Sequence, residues 1–135
     1  MSNSIDQNQQ EIVDEFSFLD DWMERYQYII DCGKSLPDLP DEEKTDANRL
    51  HGCQSQVWLV ADHDGETLNF RATSDALIVS GLIVLLLRIY SGKTAQEISQ
   101  STPWFIEQLG LKEHLSATRS NGLASMLQAI YQHAA

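Results

Sequence analysis

Residues 75–91, DALIVSGLIVLLLRIYS, form the most apolar stretch of this chain and decide how the rest must pack. Apolar residues recur there at nearly every helical position, and a helix that is apolar on all sides is buried. Ser74 can cap the start of such a helix, and Gly92 can end it. We therefore predict a central core helix over residues 75–91. The stretch is shorter than the ~20 apolar residues that span a bilayer, so we expect a soluble, cytoplasmic protein with no membrane partner.

A β-hairpin is predicted immediately before this helix. In residues 56–61, Val57, Leu59 and Ala61 alternate with Trp58 and Val60, as on a half-buried strand. Asp64-Gly65 then marks a turn, and alternation resumes at apolar residues of a second strand, namely Leu68, Phe70 and Ala72.

The remaining apolar residues recur with helical spacing. An N-terminal set predicts two helices that meet near Ser17, because Ser17 and Asp20 resemble a capping pair, and Gly33 ends the second one. That set comprises Ile12, Phe16, Leu19, Met23, Tyr26 and Ile30. Two short helices follow Thr94 and Thr102-Pro103, and Gly110 ends the second. A final helix runs from about Arg119 to Gln132 and is predicted to bury Leu123, Met126, Leu127 and Ile130.

The predicted elements fit one domain over residues 1–135, with residues 1–10 frayed. Its fold class is α+β, with several helices packed on a small antiparallel sheet. Residues 34–48 contain two prolines and seven charged residues, and we expect a surface connection that buries little.

The charge is distributed unevenly along the chain. The net charge is −11, and residues 1–46 hold 13 of the 20 acidic residues. No cluster of Lys and Arg is present, so we expect no nucleic-acid partner. The acidic third is either a solvated surface that aids solubility or a docking surface for a basic partner, and the sequence leaves both interpretations open.

Cys53 is the residue that best suggests chemistry. It stands in HGCQSQVW, residues 51–58, after a glycine that permits unusual backbone angles and before an apolar strand. This context is typical of a displayed nucleophile, although free cysteines also serve as small core residues. At an ordinary pKa only about 3% of the thiol is ionised at pH 7, so a reactive Cys53 needs a nearby cation. Cys32, at the end of a predicted helix, is expected to be inert, and the spacing requires no disulfide between the two cysteines.

Arg119 and His51 are the candidate neighbours of Cys53. Arg119 lies at the start of the last helix. It is either a charged residue of the helix cap or a cation directed at the Cys53 thiol. His51 is either solvated, paired with the thiolate or a metal ligand, but zinc requires three or four ligands and the other histidines are scattered. The sequence contains no GxGxxG, P-loop, HExxH or paired CxxC motif, so no metal or cofactor site is predicted.

Four stretches together resemble the SufE family, the sulfur-acceptor partners of the cysteine desulfurase SufS. In chain order they are WMERYQYIIDCGKSLP (22–37), GCQSQVW (52–58), SDALIVSGL (74–82) and LSATRSNGL (115–123). The resemblance extends over about residues 16–131.

The resemblance implies a SufE/IscU-like fold and a set of site residues. The family's cysteine corresponds to Cys53 and its helix-opening arginine to Arg119, which favours the second interpretation of Arg119. The supporting or partner-binding residues are then Gly52, Gln54, Ser55, Gln56, Asp75 and Arg119. The tripeptide after Cys53 favours SufE proper over the related CsdE proteins. The scaffold IscU needs several cysteine ligands, whereas this loop has one.

The resemblance also implies a function and its partners. Cys53 would accept the outer sulfur of a persulfide on a SufS-like desulfurase, stimulate that enzyme, and pass the sulfur to a SufBCD-like iron-sulfur scaffold. Pyridoxal phosphate would belong to the desulfurase, and a homodimer is compatible with the sequence. Apolar neighbours such as Trp58 would shelter the sulfur. The alternatives are a CsdE-type acceptor for another desulfurase, an independent cysteine hydrolase with a histidine base, and a regulator that acts by binding alone.

Overall fold

A computed structural model describes residues 4–52 and 55–135 of the 135-residue chain. This part of the chain contains seven α-helices and a three-stranded antiparallel sheet, which confirms the predicted α+β class. The elements in chain order are α1 Ser4–Phe16, α2 Trp22–Gly33, a 3-10 turn Asp41–Glu43, β1 Val57–Asp64, β2 Thr67–Ser74, α3 Leu77–Tyr90, β3 Lys93–Thr94, α4 Ala95–Ser99, α5 Phe105–Leu109, α6 Leu111–His114 and α7 Ala117–Ala134.

The sheet is built on the predicted hairpin. β1 and β2 pair in one continuous register from Val57 opposite Ser74 to Asp64 opposite Thr67. Gly65 adopts a φ of 63° at the turn, a conformation that glycine takes without steric cost. The sequence did not predict β3, because its two residues are too few to show alternation.

The predicted core helix is α3, and it packs against α2 at two glycines. A Cβ on Gly81 would lie 1.9 Å from the carbonyl oxygen of Ile29. A Cβ on Gly33 would lie 2.6 Å from the backbone nitrogen of Gly81. The two helices therefore touch backbone to backbone, with no side chain between them. Gly33 is the last residue of α2, as predicted, but this close approach, and not a left-handed conformation, is what requires a glycine there.

Residues 4–10 differ from the prediction that residues 1–10 are frayed. They form the first turns of α1, and Ile5 and Gln9 are fully buried. Gln9 Nε2 donates to the carbonyl oxygen of Thr102 at 3.1 Å, and Gln9 Oε1 accepts from the backbone N–H of Phe105 at 3.0 Å. Asn8 Nδ2 likewise donates to the carbonyl oxygen of Arg88 at 2.9 Å. The polar side chains that suggested solvent exposure instead satisfy backbone groups of α3, of α5 and of the segment before α5.

Two predicted helix caps were placed wrongly. α2 is capped by Asp21, whose carboxylate accepts from the N–H of Glu24, while the Ser17 hydroxyl donates to the carbonyl oxygen of Asp14. α3 begins at Leu77 after Ala76, and the Ser74 hydroxyl accepts from the Ala76 N–H immediately before the helix. In both cases the serine stabilises the turn beside the helix and does not start the helix itself.

Residues 34–48 bury more than the expected surface connection. Leu39 is only 5% exposed. The Lys44 ammonium lies 5.9 Å from the ring centroid of Trp58, and Arg71 of β2 pairs with Glu43 at 2.6 Å. The N–H of Leu59 donates to the carbonyl oxygen of Asn48 at 2.9 Å. The segment therefore covers the outer face of the hairpin.

Three of the four C-terminal helices, α4, α5 and α7, agree with the prediction in type and order, whereas the four-residue α6 was not predicted. Thr94 and Glu97 form a capping box at α4, and Gly110 ends α5 with a φ of 69°. α7 begins at Ala117, two residues before the predicted start, and buries the predicted residues Leu123, Met126, Leu127 and Ile130. None of the helices within residues 4–52 and 55–135 has the length and hydropathy to cross a bilayer.

We expect Gly81→Ala to destabilise the fold by about 3 kcal/mol or more, because the added methyl group meets rigid backbone and the two helices must separate. The free energy of unfolding from urea titration measures this loss. Gly65→Ala is the matched control: nothing lies within 4 Å of its Cβ, and its positive φ limits the cost to about 1–2 kcal/mol. Equal losses in the two variants would contradict the close packing of α2 and α3.

An ion pair between Glu15 and Arg88 joins α1 to α3. Arg88 Nη1 donates to Glu15 Oε1 at 2.9 Å, and the Tyr28 hydroxyl donates to the same carboxylate. The Arg88 guanidinium lowers the pKa of Glu15 below its ordinary 4.5. A carboxyl whose pKa is lower in the folded state stabilises the fold above its unfolded pKa, and this stability is lost as pH falls through the folded value.

We expect Glu15→Gln to reduce the free energy of unfolding by about 1 kcal/mol between pH 5 and 7, since the pair is partly exposed to solvent. The difference from the unsubstituted protein should shrink as pH falls below about 4.5, where the native carboxyl also gains a proton. Urea titrations at several pH values measure both quantities. A difference that stays constant down to pH 3 would contradict the lowered pKa.

Candidate functional site

The segment that carries Cys53 is a loop closed at its base by backbone hydrogen bonds. The N–H of Leu50 donates to the carbonyl oxygen of Val57 at 2.9 Å, and Arg49 forms a bridge with Trp58. Residues 51–56 therefore connect two paired stems at the start of β1. Cys53 and Gln54 lie outside the described residues, so the roles predicted for them stay predictions.

Asp75 fixes the C-terminal side of this loop. Its Oδ1 accepts from the backbone N–H of Gln56 at 3.0 Å, and its own N–H donates to the carbonyl oxygen of Gln56 at 3.3 Å. Asp75 lies in the short connection between β2 and α3, so the loop is tied to the start of the core helix. The structure thus gives Asp75 a supporting contact with the loop.

Gly52 fixes the N-terminal side of the loop by close packing on α7. A Cβ on Gly52 would lie 2.0 Å from Ser125 Oγ and 2.9 Å from Ser125 Cβ. Gly52 is not among the glycines with positive φ. The expectation that this glycine provides unusual backbone angles is therefore wrong: the position needs a glycine because the backbone passes directly over Ser125.

A cleft of about 630 Å³ opens beside the loop. Its walls come from the loop, the C-terminal half of α2 and the starts of α3 and α7. The residues that line it are Ile30, Ser55, Ala76, Leu77, Ile78, Val79, Ser116, Thr118 and Arg119. Two predicted site residues, Ser55 and Arg119, thus share one cleft although 64 positions separate them in the sequence (119 − 55).

Arg119 contributes to this cleft and to the start of α7. Its backbone N–H donates to Ser116 Oγ at 3.3 Å, while its exposed side chain lines the cleft. Within the described ranges Arg119 forms no ion pair, and no carboxylate lines the cleft. The first turns of α3 and α7 add partial positive charge, because helix N-termini present unpaired N–H groups. The cleft therefore favours an anionic group such as a thiolate.

Other residues singled out in the sequence lie elsewhere. His51 is exposed and borders a smaller cleft of about 250 Å³ with Ser125 of α7. Cys32 is a free, half-buried thiol, and burial raises its pKa, as expected of an unreactive cysteine. Trp58 lies beneath Lys44 and is absent from the residues that line the cleft.

Sequence reasoning missed two residues of this region. Leu77 was assigned to the buried face of the core helix, but it is 65% exposed at the cleft. The end of α2 approaches the backbone of Leu77 at Gly33, while the Leu77 side chain lines the open cleft. Ser125 was not singled out, and no local pattern could have revealed it, since its role depends on the tertiary contact with Gly52.

The fold and the site together define a small α+β domain in which a cationic cleft borders Ser55, two residues after Cys53 in the sequence. The family described as "SufE: Fe-S metabolism associated domain" matches residues 10–134, and the chain belongs to this family. The family associates the chain with iron-sulfur metabolism, sulfur transfer and cysteine desulfurases.

Two relatives agree with this assignment, and one solved structure is similar in fold. An uncharacterized SufE-like protein of Rhizobium meliloti (strain 1021) is 46% identical, over 97% of this chain and 94% of that protein. One from Rhizobium etli is 47% identical, over 97% of this chain and 89% of that protein. The solution structure of a hypothetical protein from Thermus thermophilus is similar in fold, with a TM-score of 0.75 at 21% identity, and covers 94% of this chain and 93% of that one.

We expect Asp75→Ala to accelerate hydrogen exchange at the Gln56 amide about tenfold, because a hydrogen bond to a charged acceptor contributes roughly 1.5 kcal/mol. NMR-detected exchange measures this rate. Asp75→Asn is the matched control, since its side-chain oxygen can still accept the bond. Exchange at the Leu50 amide, which is bonded to Val57, should not change. An unchanged Gln56 rate in Asp75→Ala would contradict the proposed anchor.

Proposed function

We propose that this protein is the sulfur acceptor and activator of a SufS-like cysteine desulfurase, with Cys53 as the residue that carries the sulfur. The observation that supports this most strongly is the arrangement around the loop. Gly52 and Gln56 are fixed on either side of Cys53, and Ser55 shares a cleft with Arg119. The cationic cleft borders Ser55, two residues after Cys53 in the sequence, and a nearby cation is what a reactive thiol requires.

The proposed reaction is thiol exchange with a persulfide. The Cys53 thiolate attacks the outer sulfur of the desulfurase persulfide, and a new S–S bond forms on Cys53. The S–S bond on the desulfurase breaks, its cysteine leaves as a thiolate, and no net oxidation occurs. A thiol on the iron-sulfur scaffold, a SufBCD-like complex, then removes the sulfur from Cys53 in the same manner.

Arg119 would act by favouring the thiolate. A guanidinium near the sulfur lowers a cysteine pKa by about 1–2 units, which raises the ionised fraction at pH 7 from about 3% to about a quarter or more. The two helix N-termini at the cleft act in the same direction. The chemistry needs no cofactor on this protein, because pyridoxal phosphate serves the desulfurase that generates the persulfide.

We expect Cys53 to gain the mass of one sulfur atom when the protein is incubated with a SufS-class desulfurase, pyridoxal phosphate and cysteine. Intact-mass analysis detects the change. Cys53→Ser should show no gain and no stimulation of the desulfurase, whereas Cys32→Ser should behave as the unsubstituted protein. Full stimulation by Cys53→Ser would contradict sulfur acceptance and favour a regulator that acts by binding alone. Hydrolysis of a thioester without a desulfurase, lost in His51→Ala, would favour a hydrolase.

Arg119→Ala should slow sulfur loading of Cys53 about tenfold at pH 7 and move the midpoint of the rate against pH upward by about 1 unit. Single-turnover loading between pH 6 and 9 measures both effects. Arg119→Lys is the matched control, since it retains the charge and should restore most of the rate. A pH profile that is identical in Arg119→Ala would contradict the activating role.

A further inference from the structure

Two large apolar side chains are exposed where α1 meets α2. Phe18 is 84% exposed and Met23 is 82% exposed. A single exposed apolar residue on a surface needs no explanation. Here two lie five positions apart in one corner of the molecule, and neither is needed to fill the core. We call residues 18–24 the acidic corner.

Three carboxylates accompany these apolar side chains. Asp20, Asp21 and Glu24 are all exposed, and within residues 4–52 and 55–135 none of them forms an ion pair. Their hydrogen bonds stay within the corner: Glu24 Oε2 accepts from the Asp20 N–H at 2.8 Å, and Asp21 Oδ1 accepts from the Glu24 N–H at 2.9 Å. A need for solubility would explain the acids, but it would not explain Phe18 and Met23 among them.

The acidic corner lies near the cleft, and a half-buried side of α2 joins the two. Trp22 stacks on His114 with ring centroids 4.1 Å apart, and the Tyr26 hydroxyl donates to the carbonyl oxygen of His114. His114 ends α6, directly before the first residues of α7 that line the cleft. Ile30, two turns beyond Trp22, lines the cleft itself. At a rise of 1.5 Å per residue, Trp22 and Ile30 are about 12 Å apart along the helix.

That distance is small compared with a protein interface. A specific interface covers about 800 Å² on each partner, a patch roughly 30 Å across. A protein docked with its active centre at the cleft therefore extends over the start of α2. Such a surface usually has apolar residues at its centre and polar or charged residues around them. Carboxylates that form no ion pair within this protein favour a partner with Lys and Arg at the facing positions.

We propose that the acidic corner is the outer part of the surface on which the cysteine desulfurase docks. Phe18 and Met23 enter an apolar depression on the desulfurase, and Lys and Arg residues around that depression pair with Asp20, Asp21 and Glu24. This inference rests on the function proposed above. The sequence left two interpretations of the acidic N-terminal third, a solvated surface and a docking surface. For residues 18–24 the proposal adopts the docking surface.

The test measures the protein concentration that half-saturates stimulation of a purified SufS-class desulfurase. In Phe18→Ser/Met23→Gln this concentration should rise about tenfold, since buried anchors dominate interface energies. The maximal rate and the loading of Cys53 at saturation should not change, because the cleft and the loop are intact. Phe18→Leu/Met23→Leu keeps apolar side chains and should retain most of the affinity. Both substituted positions are exposed, so thermal unfolding should match that of the unsubstituted protein.

A charge reversal tests the rim independently. Asp20→Lys should raise the half-saturating concentration and weaken its dependence on salt. Glu42→Lys, an equivalent exposed change on the 3-10 turn that covers the other side of the sheet, should do neither. Normal Cys53 loading with an unchanged half-saturating concentration in Phe18→Ser/Met23→Gln would overturn the docking surface alone. Failure of the unsubstituted protein to accept sulfur would overturn the proposed function, and this inference with it.

Discussion

The contact between α2 and α3 at Gly33 and Gly81 is the constraint on which the site depends. Because no side chain separates the two helices, their relative position is set by backbone against backbone. The last turns of α2 therefore lie beside the first turn of α3, and Ile30 and Leu77 become neighbouring walls of the cleft. The start of α3 in turn places Asp75, which holds Gln56. A packing requirement between two helices thus determines where the loop leaves the sheet.

The sequence predicted those parts of the fold that depend on local pattern. The density of apolar residues in 75–91 identified the central helix, and period-two alternation with Asp64-Gly65 identified the hairpin. The helix start at Thr94 and the helix end at Gly110 could also be predicted, because each depends on residues within one helical turn. The family resemblance then singled out Asp75 and Arg119, which spacing alone could not relate to the loop.

The missed features share one physical cause, which is that polar and small residues take their roles from distant partners. Gln9 resembles a solvated residue until its amide is seen to satisfy the backbone at Thr102 and Phe105. Gly52 resembles a turn glycine until Ser125 is placed against it. Leu39 is buried because residues 34–48 cover the outer face of the hairpin. Such contacts join residues that are far apart in the chain, so they cannot be predicted from local periodicity.

Gly52 and Gln56 tie this part of the chain to the body of the domain, one through Ser125 of α7 and the other through Asp75. Only three residues of sequence lie between these two contacts, and four peptide units span at most about 14 Å. Under the proposed function, the sulfur donor would therefore have to approach the surface of this domain closely. The exchange would then take place between two shallow sites.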